Sequence, residues 1–402
     1  MRWSALAVLG VSLFSACNHE DPLDLDAVSS DVRPGKRSEV LAVSDPASNT
    51  VMVFGGNMGR VVDQIPKGEF LDETWVFSPG QGWAQLQPAD HPSARGRYSV
   101  SYDGVNRRAL VFGGRWRQAD TTGNYTLYND LWQFDFATRA WSQLDQGTGP
   151  SKRYYPASAY DDVTATYYVF GGGTNRDPMT IDVAMDLWSW DGSTWSQLTT
   201  TGEAPTRRLF IGSTYDPTRD RLVVFAGQRG DFQSQAYNDL YALDLGTLTW
   251  SKLDDGNGPS TRMHPHVVYD TDRDRYLVFG GHTDVGDMND LWSFDPNTDT
   301  WSEVYIADAF TGEPLGCLDN PRDVPSDYVT QDVSAPERRH RGMFTLMHDS
   351  LWLFGGMHAE CSDHLDDTWR YDLSANTWHE LIEARSGESC ARRNEDCQCL
   401  CF

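Results

Sequence analysis

The feature that most constrains this chain is a short apolar run closing on a glycine pair, Val51-Met52-Val53-Phe54-Gly55-Gly56, which returns five more times. The copies end at Gly114, Gly172, Gly227, Gly281 and Gly356, and only Ala226 departs from the pair. Phe54, Phe112, Phe170, Phe225, Phe279 and Phe354 stand 58, 58, 55, 54 and 75 residues apart. A period of this size matches a four-stranded propeller blade, with an open β-solenoid as the alternative.

Further landmarks hold a fixed phase to each run, which chance recurrence of a few apolar residues would not produce. Upstream stands Pro-x-x-Arg, ending at Arg37, Arg95, Arg153, Arg208, Arg262 and Arg339. Downstream come two aromatics. The first is Trp75, Trp132, Trp188, Tyr241, Trp292 or Trp369; the second is Trp83, Trp141, Trp195, Trp250, Trp301 or Trp378. In the second repeat these landmarks delimit strands over Arg97 to Tyr102, Ala109 to Gly113, Leu131 to Phe134 and Trp141 to Leu144. Asp103-Gly104 and the Asp-x-x-Thr of Asp135 to Thr138 supply turn chemistry between them. The second strand is apolar throughout rather than alternating, as expected where both faces of a sheet are covered by neighbours.

The apolar strand with Gly-Gly, then Asn-Asp-Leu-Trp, then Trp-Ser-x-Leu resembles the kelch repeat. That resemblance implies an all-β fold, a six-bladed β-propeller of four-stranded antiparallel blades. The blades are expected at about 34–89, 90–147, 148–203, 204–256, 257–306 and 336–383, with an insertion at 307–335. A ring of blades buries surface between neighbours, so 402 residues need no single oversized core.

Residues 1–16 read as a signal peptide: Arg2 precedes the apolar stretch Ala5 to Phe14, which is too short to span a bilayer. Leu13-Phe14-Ser15-Ala16-Cys17 is similar to a bacterial lipobox, with Phe14 in place of the usual leucine. The resemblance implies lipidation of Cys17 and, with Asn18 following, an outer-membrane destination; simple secretion or a periplasmic location is the alternative. Residues 17–33 are polar and acidic and are expected to form an unordered tether reaching on the order of 20 Å. In an oxidising compartment the remaining six cysteines are expected in disulfides. Cys317 to Cys361 is the preferred pair, while Cys390, Cys397, Cys399 and Cys401 of the tail at 384–402 leave connectivity open, or could hold a soft metal.

A formal charge of −25 argues against nucleic acid or an anionic membrane surface as partner. Function is expected on the loops between second and third strands, which run from Gly56 to Asp72 in one blade and only Gly281 to Asn289 in another. Variable loops on a rigid scaffold are where binding residues concentrate. On that face the six arginines could receive an acidic ligand, as the resemblance to kelch adaptors of ubiquitin ligases implies. The competing and preferred reading pairs them with Glu73, Asp130, Asp186, Asp239, Asp290 and Asp367 as architecture, by bidentate bonds.

Repetition breaks in the last two blades. His282, Asp284, His358, Glu360 and His364 form a candidate set for zinc or iron. His264 and His266 are candidates for lining the channel or for buried hydrogen bonding. The aspartates of Asp270-Thr271-Asp272-Arg273-Asp274 lack the glycine and closing glutamate of a calcium loop and read as a turn. No Gly-x-Ser-x-Gly, phosphate loop or His-Glu-x-x-His is present. Nor is there a cysteine between Cys17 and Cys317 to form the cross-link that copper oxidases of the kelch family use. The expectation is therefore a monomeric protein- or glycan-binding propeller of the cell envelope without a cofactor, with a carbohydrate-active or metal-dependent enzyme as the alternative.

Overall fold

The computed structural model describes residues 24–26, 28–29, 32–59, 61–62, 65–229, 236–284, 286–307, 334–358 and 363–384. They form six antiparallel sheets, each a four-strand meander at its core and numbered here as blades 1 to 6. Blade 1 is Ala42–Asp45, Thr50–Phe54, Thr74–Ser78 and Gly82–Leu86. Blade 2 repeats it with Ser99–Asp103, Arg108–Phe112, Leu131–Asp135 and Ala140–Asp145, within a residue or two of the sequence expectation except that the first strand begins after Arg97. In blade 4 an extra short strand, Thr201–Gly202, pairs in parallel with the outermost Thr249–Asp254. Blade 5 continues its second and third strands into a long hairpin, Arg275–Thr283 against Gly286–Asp295.

The fixed phase of the landmarks has two physical causes. Within a blade, the arginine reaches the carboxylate that opens the third strand, and the following tryptophan donates its indole N–H to that same carboxylate. Arg95 Nη1 to Asp130 Oδ1 is 2.6 Å and Trp132 Nε1 to Asp130 Oδ2 is 2.8 Å. Between blades, the second tryptophan packs on the phenylalanine of the blade before it. Trp141 lies on Phe54, Trp195 on Phe112, Trp250 on Phe170, Trp301 on Phe225 and Trp378 on Phe279, with ring centroids 4.8–5.4 Å apart. Contacts of this geometry add to the area term for large buried rings.

The sixth contact closes the ring: Trp83 of blade 1 lies 4.8 Å from Phe354 of blade 6. Its Nε1 donates to Thr368 Oγ1 at 3.0 Å, and Val51, Val53 and Phe77 share one apolar cluster with Met343, Trp352 and Ile382. Closure also has a backbone component that side-chain packing alone does not anticipate. Gly356 N donates to Arg37 O at 2.9 Å, as Gly56 N does to Arg95 O one blade on. The glycine pair is required there, since a Cβ on Gly55 would stand 2.5 Å from the Arg95 carbonyl oxygen and its φ is +62°.

The expectation of an unordered tether does not hold for its described residues. Asp26 pairs with Arg370 at 2.7 Å and with His379 at 3.1 Å, Ser29 bridges to Gly82, and Val28 packs against the cluster of blades 1 and 6. Specific charge pairing orders a stretch too polar to order itself by burial. Cys17 and the six cysteines from Cys317 to Cys401 lie outside the described residues, as do the signal peptide, most of the insertion and the tail beyond 384.

Candidate functional site

All six repeat arginines are buried and held in the same way. Arg37 meets Glu73, Arg153 meets Asp186, Arg262 meets Asp290 and Arg339 meets Asp367 at 2.6–2.7 Å, and Arg208 meets Asp239. Each also donates to a carbonyl two residues upstream, for example Arg153 Nε to Ser151 O at 2.9 Å. A second bond spans to the residue after the phenylalanine, Arg153 Nη1 to Gly171 O at 2.9 Å. Burial alone would raise the carboxyls of Asp130 and Asp186, but the arginine and tryptophan donors outweigh it and hold both below their ordinary range. These arginines thus have their donors spent on the carboxylate and carbonyls of their own blade, the arrangement that the pairing reading expects.

Two residues beyond each arginine lies a second ring, and here no side chain dominates: Glu39, Arg97, Tyr155, Phe210, His264 and Arg341. All six have φ between +50° and +63°, a left-handed conformation that non-glycine residues seldom adopt. In four of them the turn brings the backbone N–H onto a carbonyl of the preceding blade. Glu39 donates to Arg341 O at 2.9 Å, Arg97 to Glu39 O at 3.0 Å, Tyr155 to Arg97 O at 2.6 Å and His264 to Phe210 O at 2.8 Å. The six side chains converge on one another as a plug, Glu39 on Arg97, Arg97 over Tyr155 and Phe210, and His264 against Tyr155, Phe210 and Arg341.

Charge at this plug is concentrated on one carboxylate. Glu39 lies 2.7 Å from both Arg97 Nε and Arg115 Nη2. Arg115 stacks on Tyr125 at 3.8 Å, and Arg97 on Tyr155 at 5.0 Å. Burial would raise the Glu39 carboxyl, yet Arg115, Arg97 and Arg341 together hold it well below the ordinary range. Arg341 has lost proton affinity, to about 10, through burial and the charge of Arg97; its Nε donates to His264 Nε2 at 3.2 Å.

Below the plug the first strands enclose a well of about 400 Å³. It runs from Tyr155, His264 and Arg341 down to the exposed hairpin residues Pro46, Asp162, Pro217 and Thr271, so it opens on the face of the strand 1–2 turns. His264 and His266 both line it. His264 stacks on Phe210 at 4.2 Å, and burial first, then Arg341, keeps its ring well below its ordinary proton affinity. His266, packed between Phe279 and Phe344, is pushed down to about 3 by burial.

On the opposite face the variable loops are tied to one another across blades. Gly68 N donates to Thr121 O at 3.1 Å and Asp120 N to Gly68 O at 2.9 Å, joining the loops of blades 1 and 2. Tyr125 N donates to Arg176 O at 2.8 Å and Arg176 Nε to Tyr125 O at 3.0 Å, joining blades 2 and 3. Arg207 pairs with Asp182 across the junction of blades 3 and 4. Beneath this crown Tyr125, Leu127, Tyr154, Val183, Leu209 and Phe210 form their own apolar cluster, and Met179 stands on top, 65% exposed.

Among the described residues the candidate metal set of His282, Asp284 and His364 does not cluster. Asp284 is exposed, and buried His364 places Nε2 3.1 Å from Gly59 O of blade 1. The His358 side chain and Glu360 lie outside the described residues. His282 instead joins two residues that the sequence did not single out. Its Nδ1 is 2.8 Å from Asp287 Oδ1, and His340 Nδ1 is 2.9 Å from the same oxygen. Burial takes His340 down to about 4 despite the neighbouring carboxylate. His282 and Asp287 are five residues apart across the Gly281 to Asn289 loop, a spacing that a hairpin reading would have paired; His340, beyond the insertion, gave no such signal.

Six four-stranded blades around a closed axis define a propeller of repeated β-meanders. The chain belongs to the kelch-repeat family: the KLHDC2/KLHL20/DRC7 Kelch-repeats domain matches residues 25–189 and 162–314, and the Kelch motif matches residues 344–381. Among curated relatives it is similar to the leucine-zipper-like transcriptional regulator 1 homolog of Drosophila melanogaster, 25% identical over 85% of this chain and 31% of that protein. Similarity to the host cell factor homolog hcf-1 of Caenorhabditis elegans is 24% over 74% of this chain and 36% of that protein. Kelch domain-containing protein 10 of Rattus norvegicus is 24% identical over 72% of this chain and 65% of that protein. The chain thus spans less than two thirds of each of these relatives.

Proposed function

We propose that this propeller is an exported, lipid-anchored scaffold that binds a protein partner through its crown of strand 2–3 loops. The observation that carries the reading is the cross-blade tying of those loops, from Gly68 through Thr121 and Tyr125 to Arg176. A surface fixed before contact loses less conformational freedom on association, so more of its contact energy appears as affinity. Exposed Met179 supplies an apolar anchor on that surface, rimmed by Arg176 and Asp177. Kelch relatives support a binding role, and anchorage follows the lipobox-like stretch ending at Cys17. A glycan ligand is the other outcome that the test distinguishes.

Two exposed apolar residues on opposite faces of blade 3 make the test. Met179 sits on the crown and Val163, 93% exposed, on a strand 1–2 turn. Met179→Asp should release the co-purified partner from envelope extracts while Val163→Asp retains it. The reverse pattern, or retention of protein by both variants, would overturn the crown; capture of glycan alone would replace the ligand class. Cys17→Ser should move the chain from the membrane to the soluble fraction, and unchanged partitioning would remove the anchor.

A further inference from the structure

We propose that His282, Asp287 and His340 bind one divalent transition metal of the zinc class, joining blade 5 to blade 6. His282 and Asp287 are direct cross-strand partners on the long hairpin of blade 5, which sets both side chains on one side of it. His340 comes from blade 6, between Arg339, which is paired with Asp367, and Arg341 of the plug. One ligand atom from each residue falls within 4.8 Å of the other two. Two imidazole nitrogens and a carboxylate oxygen suit a borderline ion, and three protein ligands leave a position open.

Burial distinguishes this group from an ordinary polar cluster. Asp287 and His340 side chains are 0% and 2% exposed, while His282 is 30% exposed. Of the three side chains His282 is the one that meets solvent, and a water or a partner's ligand would complete the coordination there. Although His340 Nδ1 lies 2.9 Å from Asp287 Oδ1, it is buried and makes no hydrogen bond of acceptable geometry among the described residues. A histidine serving only to steady the carboxylate would donate along that line. An ion drawing all three atoms to a common centre accounts for the approach without that alignment. The position has a consequence for the ring: residues 307–335 intervene between blades 5 and 6, and a shared ion would join the two blades directly.

The full chain, stripped with chelator and dialysed, should be titrated with Co2+ and then Zn2+. One equivalent of cobalt is expected at micromolar affinity or tighter, with visible d–d bands, without near-ultraviolet thiolate charge transfer, and with displacement by zinc. His282→Ala, at the exposed ligand, should keep the wild-type circular dichroism and lose the bands and the zinc-dependent rise in Tm; His358→Ala should keep both. Absence of stoichiometric cobalt from folded wild-type protein would overturn the site. So would full binding by His282→Ala, or thiolate bands, which would assign the ion to the cysteines instead.

Discussion

Two rings of side chains, two residues apart in every blade, follow opposite rules. The outer ring is arginine six times over, with the same carboxylate, the same carbonyls and, in five blades, the same tryptophan. The inner ring shares only a backbone conformation, and its side chains run from Glu39 and two arginines to Phe210 and His264. Sixfold identity marks what every blade needs to stand beside the next. Difference at an equally constrained position marks where this particular propeller is specified, because the six side chains meet one another rather than repeating a local contact.

The largest effect expected from this contrast lies at Glu39. Glu39→Ala strands Arg97 and Arg115, whose side chains are 4% and 5% exposed, without a counter-charge. Removing one partner of a buried pair costs about 3–5 kcal/mol, so urea unfolding should show a loss in that range. A loss under about 1 kcal/mol would mean that the inner ring does not hold the axis, and the contrast would fail. Next in size, Arg95→Ala and Arg153→Ala should each cost about 2–3 kcal/mol, because the carboxylates left behind, 16% and 26% exposed, can recover water. The two losses should agree within about 1 kcal/mol. Unequal losses would show that the outer ring is not the uniform device it resembles.

The outer ring was legible in the sequence because it repeats: Arg153 and Asp186 could be paired before any coordinates by noting that each had five counterparts. Phe54 and Trp141 were legible as landmarks but not as a contact, since nothing in one repeat states that its tryptophan packs on the preceding blade. The closing contact of Trp83 on Phe354 was hidden for the same reason. The inner ring does not repeat in side chain, so apart from His264 it left no mark in the sequence: Glu39, Tyr155 and Arg341 share only their φ values. The channel histidines were legible as a pair on one face, yet the direction of the well was not, because it depends on which end the plug closes. Asp287 and His340 are brought together by a blade junction that 52 intervening residues conceal.

A smaller effect tests the interblade tryptophans. Trp83 and Trp141 donate to Thr368 and Thr74, whereas leucine stands at the corresponding position in the other four blades. There the Nε1 atoms of Trp195, Trp250, Trp301 and Trp378 are buried without a partner among the described residues. Thr368→Val should therefore cost only about 1 kcal/mol, the net value of one hydrogen bond, measured by the urea midpoint. A loss of several kcal/mol would place the closing junction in a class apart from the other five and separate it from the sixfold rule.

The smallest effect concerns the opposite face, where the blades are tied at their strand 1–2 turns by partly exposed rather than buried arginines. Arg107 of blade 2 reaches Asp45 of blade 1 at 2.6 Å, and Arg219 of blade 4 reaches Asp274 of blade 5 at 2.7 Å. Burial alone would raise the Asp45 carboxyl, but bonds from Arg107, Ser48 and Tyr102 prevail and hold it at about 2. A carboxylate depressed in the folded state contributes stability that is complete above its unfolded pKa, about 3.9, and is lost as pH falls through the folded value. Arg107→Ala should therefore be modestly less stable than wild type at neutral pH, because the arginine is partly solvated and screened. That difference should persist down to about pH 4 and shrink toward zero by about pH 2, in denaturation curves taken at stepped pH. A difference that grows on acidification would reverse the sign of the linkage and show that this tie, unlike the Glu39 plug, acts through something other than the Asp45 charge.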